Sequence, residues 1–382
     1  MNELKTITAV TRAPDPFMAS QELYQQLHQE HIDFVLFYCS STYTLKSLAS
    51  AMEATFKDIT LVGCTTAGEV THSGYEQNSI VAIGFSCQYF SVSATLIESM
   101  EKFDTISAQS TINKLIEQCQ PTHTTPSKNQ RFLLTLLDGL SSNEEQFLVT
   151  LNSAARGIPH FGGSAGDDIH STKTHVYYQG CFFQNAAIVI MVNTALPFEV
   201  FNCHHIKLPT EKLVVTAANA KSRTVYELNA EPAALEYAKL LNMDVKDLSP
   251  EVFSLHPLAV KVGGQYYIRA IQKVNEADLS LTFYCAVDVG IVLTAVEMGD
   301  IFEPVKAKLT EISQRYGKPE LVLVCDCFLR RLEIEHKGIR KQAQDLNQKY
   351  NIAGFNTYGE HINGIHLNQT FTGVYIAGGA DE

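Results

Sequence analysis

The chain has 382 residues, 45% hydrophobic and 18% charged, a globular balance with length enough for two domains, each with its own core. Its formal net charge of −12 argues against nucleic acid and against an anionic membrane surface, since both call for a basic footprint. No apolar run is long enough to span a bilayer and Met1-Asn2-Glu3-Leu4-Lys5 has no secretory pattern; the nine cysteines, odd in number and partly set in apolar strands (Cys39, Cys285), suit reduced thiols in the cytoplasm.

Residues 33–39 predict a buried strand, and Leu45, Leu48, Met52 and Phe56 then fall on one face of a helix. Ile59–Val62 predicts a second strand leading into Gly63-Cys64-Thr65-Thr66-Ala67-Gly68-Glu69, with β structure following over 80–97. The polar stretch around 120–130, with two prolines, reads as a linker. A second unit opens with the strand Phe132–Leu137. Ser141-x-x-Glu144 has the form of a capping box before Phe147, Leu148 and Leu151. Gly162-Gly163-Ser164-Ala165-Gly166-Asp167 and a strand over 186–192 complete that unit.

Composition changes at Asn193–Pro197, which places a domain boundary there and gives domains 1–195 and 196–382. Residues 198–216 predict two strands separated by Leu208-Pro209-Thr210. A helix follows Asn229-Ala230-Glu231-Pro232, and Gly263-Gly264 marks a hairpin turn between strands. Asp300-x-x-Glu303 starts another helix with Leu309, Ile312 and Tyr316 inward. The last unit is the strand Leu321–Val324, a helix with Leu332, Ile339 and Leu346, and the turn Gly354-Phe355-Asn356-Thr357-Tyr358-Gly359-Glu360.

The three small-residue turns, each closing on a glycine and an acid, follow the same antecedent of apolar strand, amphipathic helix and short strand. One supersecondary block is therefore used repeatedly. The expected fold is α/β: two related domains of mixed β-sheets with packed helices, built from repeated strand–helix–strand units with Gly-rich turns. Repetition also favours a structural role for Glu69, Asp167 and Glu360, fixing turns by accepting backbone N–H groups. Gly-x-Ser-x-Gly occurs at 162–166, but the β-like segment after it is the wrong context for a hydrolase elbow at Ser164, and no Ser-His-Asp or Cys-His arrangement is readable, so no enzyme is expected.

These turns, with Asn363-Gly364 and Asn368-Gln369-Thr370, resemble the FIST family of bacterial sensory modules over nearly the whole chain. The resemblance implies a FIST N-type sensory domain and a FIST C-type domain. Val214-Val215-Thr216, Glu227-Leu228-Asn229, Glu231-Pro232-Ala233-Ala234 and Tyr266-Tyr267-Ile268-Arg269 are further similar to the stand-alone members that bind haem and sense nitric oxide, the NosP type. That narrower resemblance implies haem b as cofactor, nitric oxide as signal and a sensor histidine kinase as the regulated partner. A homodimer is left open.

A haem gas sensor needs one imidazole on iron and a vacant second face. Of thirteen histidines, His28, His31, His123 and His336 stand in polar contexts and are expected to be exposed. His204 and His205 lie in a β-like run at the domain junction, where cofactor pockets tend to form, and strand alternation lets only one of them face a given porphyrin. His205 is the first choice as iron ligand, with Phe201 and Ile206 as walls. His204 is the second. Cys203 is a weaker candidate, and Arg269 is a candidate partner for a propionate. The alternative is a haem-free FIST module that binds an amino acid or other small metabolite near Thr65, Thr66, Asn356 and Tyr358.

Overall fold

The computed structural model of the chain describes residues 5–28, 31–120 and 130–378. The linker expected around 120–130 lies, apart from its ends, outside the described residues, as does His123.

Three six-stranded sheets share one strand order. The first runs Thr6–Thr11, Ile80–Ser86, Ile32–Ser40, Thr60–Thr66, then the hairpin Val176–Tyr178 and Cys181–Phe183. The second runs Phe90–Ile97, Ala187–Thr194, Arg131–Leu137, His160–Ser164, then the hairpin Glu360–Ile362 and Ile365–Leu367. The third runs Phe198–Cys203, Phe371–Ala377, Pro319–Cys327, Ile352–Thr357, then the hairpin Glu69–Thr71 and Gly74–Glu76. Each sheet pairs its two middle strands in parallel through a helical crossover and is otherwise antiparallel. The block read from the turns is therefore present three times.

The final hairpin of each sheet belongs to another repeat. The first repeat's hairpin, which follows its Gly-rich turn, completes the third sheet; the second repeat's completes the first; the third repeat's completes the second. This cyclic exchange brings the three turns together. The inner faces of all three sheets form one apolar core, with Leu36, Leu134 and Leu323 as corresponding members. Their outer faces are covered by helices: Pro16–Leu27 and Leu45–Thr55 on the first, Thr105–Gln118 and Glu144–Ala155 on the second, Glu303–Tyr316 and Arg340–Tyr350 on the third. No single repeat buries both faces of its sheet, which makes the cores cooperative.

Between Cys203 and the third repeat's first helix the chain builds a separate antiparallel sheet from strands within 206–298, packed on the helix Ala233–Leu241. The break expected at Leu208–Thr210 falls instead at His204-His205. Pro209 lies within the strand Ile206–Asn219, between two register shifts, where its missing N–H is tolerated. Gly263 and Gly264 make the expected turn, with φ of 58° and 87°. The single helix expected to carry Leu332, Ile339 and Leu346 is two, Phe328–His336 and Arg340–Tyr350, broken at Gly338, whose φ is 67°. At the second repeat's helix Asn143 holds the N-cap position rather than Ser141, whose hydroxyl still reaches Glu144 at 3.2 Å.

Candidate functional site

The His204-His205 break sits where the third sheet's first strand passes into the inserted sheet. The two rings differ in their surroundings: His204 is exposed, and His205 is buried. They border an open recess of about 580 Å³, with Ile206 and Met298 as apolar walls and Lys207, Asp300 and Glu303 at its polar edge. The His205 carbonyl accepts a hydrogen bond from Gly299 N–H at 2.7 Å, which fixes the recess floor.

The His205 ring is fully committed. Its Nδ1 lies 3.1 Å from Arg330 Nη1, which can only donate, so Nδ1 accepts. Nε2 therefore carries the proton and donates to Glu333 Oε2 at 2.8 Å. Burial pulls the His205 pKa down, and neighbouring Arg330 adds to this, so the neutral ring is favoured. Burial works against ionisation of Glu333, but its contacts with His205 and Lys337 outweigh burial and hold its carboxyl below the ordinary range. The network continues inward: Arg330 Nε donates to Asp326 Oδ1 at 2.8 Å, and Tyr75 Oη donates to Asp326 Oδ2 at 2.6 Å. Tyr75 belongs to the hairpin donated by the first repeat, so the network crosses the exchange.

The sequence reading missed Asp326, Arg330 and Glu333. Their signal was present in Asp326-x-x-x-Arg330-x-x-Glu333-x-x-x-Lys337, alternating charge at helical spacing.

As attachment points for haem, the residues differ. Both ring nitrogens of His205 have protein partners, so it does not fit as the resting ligand. The His204 side chain makes no hydrogen bond among the described residues and borders the recess, which fits one-histidine attachment. Phe201 is buried in the core beneath the third sheet rather than walling the recess, whereas Ile206 does line it. Burial pushes the Cys203 thiol up to about 11, against a thiolate ligand. Arg269 is not brought to the recess; its guanidinium donates to the carbonyls of Ile268 and His366, both at 3.4 Å.

Where the three Gly-rich turns meet, Asn356 Oδ1 and Arg331 Nη1, both beside Gly68, are buried with no hydrogen-bond partner among the described residues. Thr65, Thr66, Asn356 and Tyr358 are all buried. Thr65 Oγ1 accepts from His175 N–H at 3.0 Å, Asn356 Nδ2 donates to the Asp326 carbonyl at 3.3 Å, and Tyr358 Oη donates to Asp167. Glu69 hydrogen-bonds Thr66 and Ser79; Glu360 hydrogen-bonds Thr357 and Thr370, at the same offsets in the sequence. Burial, opposed by these hydroxyls, raises each carboxyl to about 8. The second repeat departs from this pattern. Asp167 gathers its own loop through Thr172 and Lys173, while Asp138, at the end of a strand, holds Thr174 and Asn185. Asp168 stands beside Asp167, yet no group of three or more metal-ligating side chains occurs among the described residues. Ser164 is buried with no hydrogen-bond partner for its hydroxyl among the described residues.

Three exchanged sheets thus carry a laterally inserted one, with a recess at their junction. Two comparisons place the chain: residues 33–231 match the FIST N domain and residues 233–363 match the FIST C domain. The chain belongs to the FIST family, whose domains act as sensory domains in signal transduction. No curated protein matches it. No helix among the described residues is long and apolar enough to cross a membrane.

Proposed function

We propose that this chain senses nitric oxide through a haem b held by His204 and passes the signal to a partner histidine kinase in the cytoplasm. The observation that carries this reading is the division of labour in the histidine pair. His204 faces the recess with its ring uncommitted among the described residues, while His205 behind it is locked to Arg330 and Glu333. The resemblance to haem-binding FIST proteins adds the cofactor and the signal.

Bound at His204, haem would supply an open iron face for a diatomic gas. The chain's own residues account for the rest. His204 would take the iron through its imidazole, with Ile206 and Met298 as the apolar part of the wall. His205 fixes the adjoining backbone, because its side chain is tied to the helix Phe328–His336. A pull on His204 would bear on the His205–Glu333 and His205–Arg330 contacts. That helix also packs Phe328 against Tyr358 at the meeting point of the turns, with ring centroids 5.3 Å apart. Gas binding shifts the protein only if one packing of this helix binds gas better than another.

The test is an absorption spectrum of protein purified from haem-supplemented cells. A Soret band at near-stoichiometric haem, shifting on addition of nitric oxide, is expected. Colourless protein that does not take up added haemin would contradict the reading.

A further inference from the structure

The hairpin that the third repeat lends to the second sheet is seated differently from its two counterparts. In the first repeat's hairpin the central cross-strand pair is Val70–Tyr75, opposite Gly354, and Ile352 lies two places before that glycine. In the second repeat's hairpin the pair is Tyr177–Phe182, opposite Gly63, with Leu61 two places before. Both seats pack into the apolar cores beneath the covering helices. In the third repeat's hairpin the matching places hold His361–His366, opposite Gly162, and His160. All three imidazoles are buried. They lie on the outer face of the second sheet, since Phe161, between His160 and Gly162, points into the shared inner core.

This row is poorly partnered. Both ring nitrogens of His160, Nδ1 of His361 and Nε2 of His366 are buried with no hydrogen-bond partner among the described residues. His361 Nε2 meets the Thr135 hydroxyl, and His366 Nδ1 lies 3.3 Å from Glu145 Oε1. That carboxylate is already engaged by Arg223 at 2.6 Å and by Ala286 N–H at 2.8 Å, with Glu144 on the far side of Arg223. From the inserted sheet Arg269 donates to the His366 carbonyl at 3.4 Å. A proton on the row therefore meets one acid shared with an arginine, a second arginine and two further imidazoles. Burial pulls His160 down to about 4 and His361 well below the ordinary range, the latter helped by its two neighbours.

We infer that this hairpin is an acid-opened latch: protons taken up by His160, His361 and His366 release it from the second sheet and from Arg269 and Glu145 at the junction with the inserted sheet. Its hold is small, three ladder pairs to the strand His160–Ser164, and its strand Ile365–Leu367 is the sheet edge. Once open, the rings titrate in water near the ordinary value of 6.5. The closed seat then binds fewer protons than the open one. Its stability is complete above 6.5 and is lost as pH falls toward 4. Glu360 works in the opposite sense, holding its proton longer when the hairpin is closed, and Glu69 does the same in the first repeat's hairpin. The inference stands independently of haem, since none of these histidines lines the His204 recess.

The test is amide exchange of the full-length chain at about pH 7.5 and about pH 5, read by mass spectrometry and corrected for the intrinsic pH dependence of exchange. The first repeat's hairpin, residues 69–76, is the internal reference, because Glu69 there offsets the contribution of Glu360. Relative to it, protection of residues 360–367 should fall about tenfold per pH unit below the ordinary histidine value for each imidazole released. His160→Leu with His361→Val copies the apolar seats of the sister hairpins and should abolish that relative loss. His160→Gln with His361→Gln should do the same, and serves if the apolar pair does not fold. Equal acid responses of the two hairpins in the parent, or an undiminished relative loss in the substituted protein, would each overturn the inference.

Discussion

His205 Nε2 donates to Glu333 Oε2 at 2.8 Å, with both side chains fully buried. The histidine nominated from sequence as the iron ligand is thus a structural tie between the strand end and the helix Phe328–His336. Removing it leaves a buried carboxylate with only Lys337 and a buried guanidinium short of an acceptor. His205→Ala should therefore cost about 2–4 kcal/mol. His204→Ala, at an exposed ring, should stay within about 0.5 kcal/mol of the parent. Urea unfolding of the three proteins measures the difference directly.

The paired carboxyls Glu69 and Glu360 predict an unusual pH dependence. Their pKa values in the folded protein, about 8, lie above the ordinary carboxyl value, so the folded state holds these protons longer than the unfolded chain does. Their stabilising contribution is complete below the unfolded pKa, near 4.5, and is lost as pH rises through 8. Each shift corresponds to an upper bound of about 5 kcal/mol. Glu69→Gln with Glu360→Gln, which imitates the protonated pair, should flatten the fall in melting temperature between these limits. Melting curves taken across that range at constant ionic strength provide the check.

Arg223 anchors the inserted sheet to the second repeat. Its guanidinium donates to Glu144 at 2.7 Å and to Glu145 at 2.6 Å, and its side chain is 5% exposed. Arg223→Ala should cost about 3–5 kcal/mol, because it strands Glu144 as a buried charge. Adding Glu144→Ala should recover part of that loss. A double-mutant cycle by chemical denaturation would show the coupling, and additive effects would contradict the assignment.

Two glycines separate steric from conformational demands. A side chain at Gly162 would place Cβ 2.0 Å from the Thr135 carbonyl oxygen, so Gly162→Ala should cost more than about 3 kcal/mol or prevent folding. At Gly263, where φ is 58° and nothing lies within 4 Å, Gly263→Ala should cost about 1 kcal/mol. Parallel thermal melts compare them.

The repeated block was readable because strand, helix and turn signals are local: Leu36, Leu134 and Leu323 occupy matching places in units recognisable one at a time. The exchange of hairpins was not readable. Glu69–Thr71 carries no mark saying that its partner is Gly354-Phe355 rather than a strand of its own repeat. Nor was the role of His205 open to inference, since Glu333 lies 128 positions away and only the packed helix brings them together. His204 and His205 do differ in exposure, but they lie between two strands rather than within one, so strand alternation is not the cause. Which of the two would be buried depended on the packed helix that brings Arg330 and Glu333 to His205.

The most direct test of the central claim is the absorption spectrum of haem-loaded His204→Ala beside His205→Gln and the parent. His204→Ala should lose the Soret band of the parent or hold haem weakly with an altered maximum, while His205→Gln should keep the parental band at lower thermal stability. A parental spectrum at full occupancy in His204→Ala would contradict the assignment and move the gas-responsive centre elsewhere in the fold.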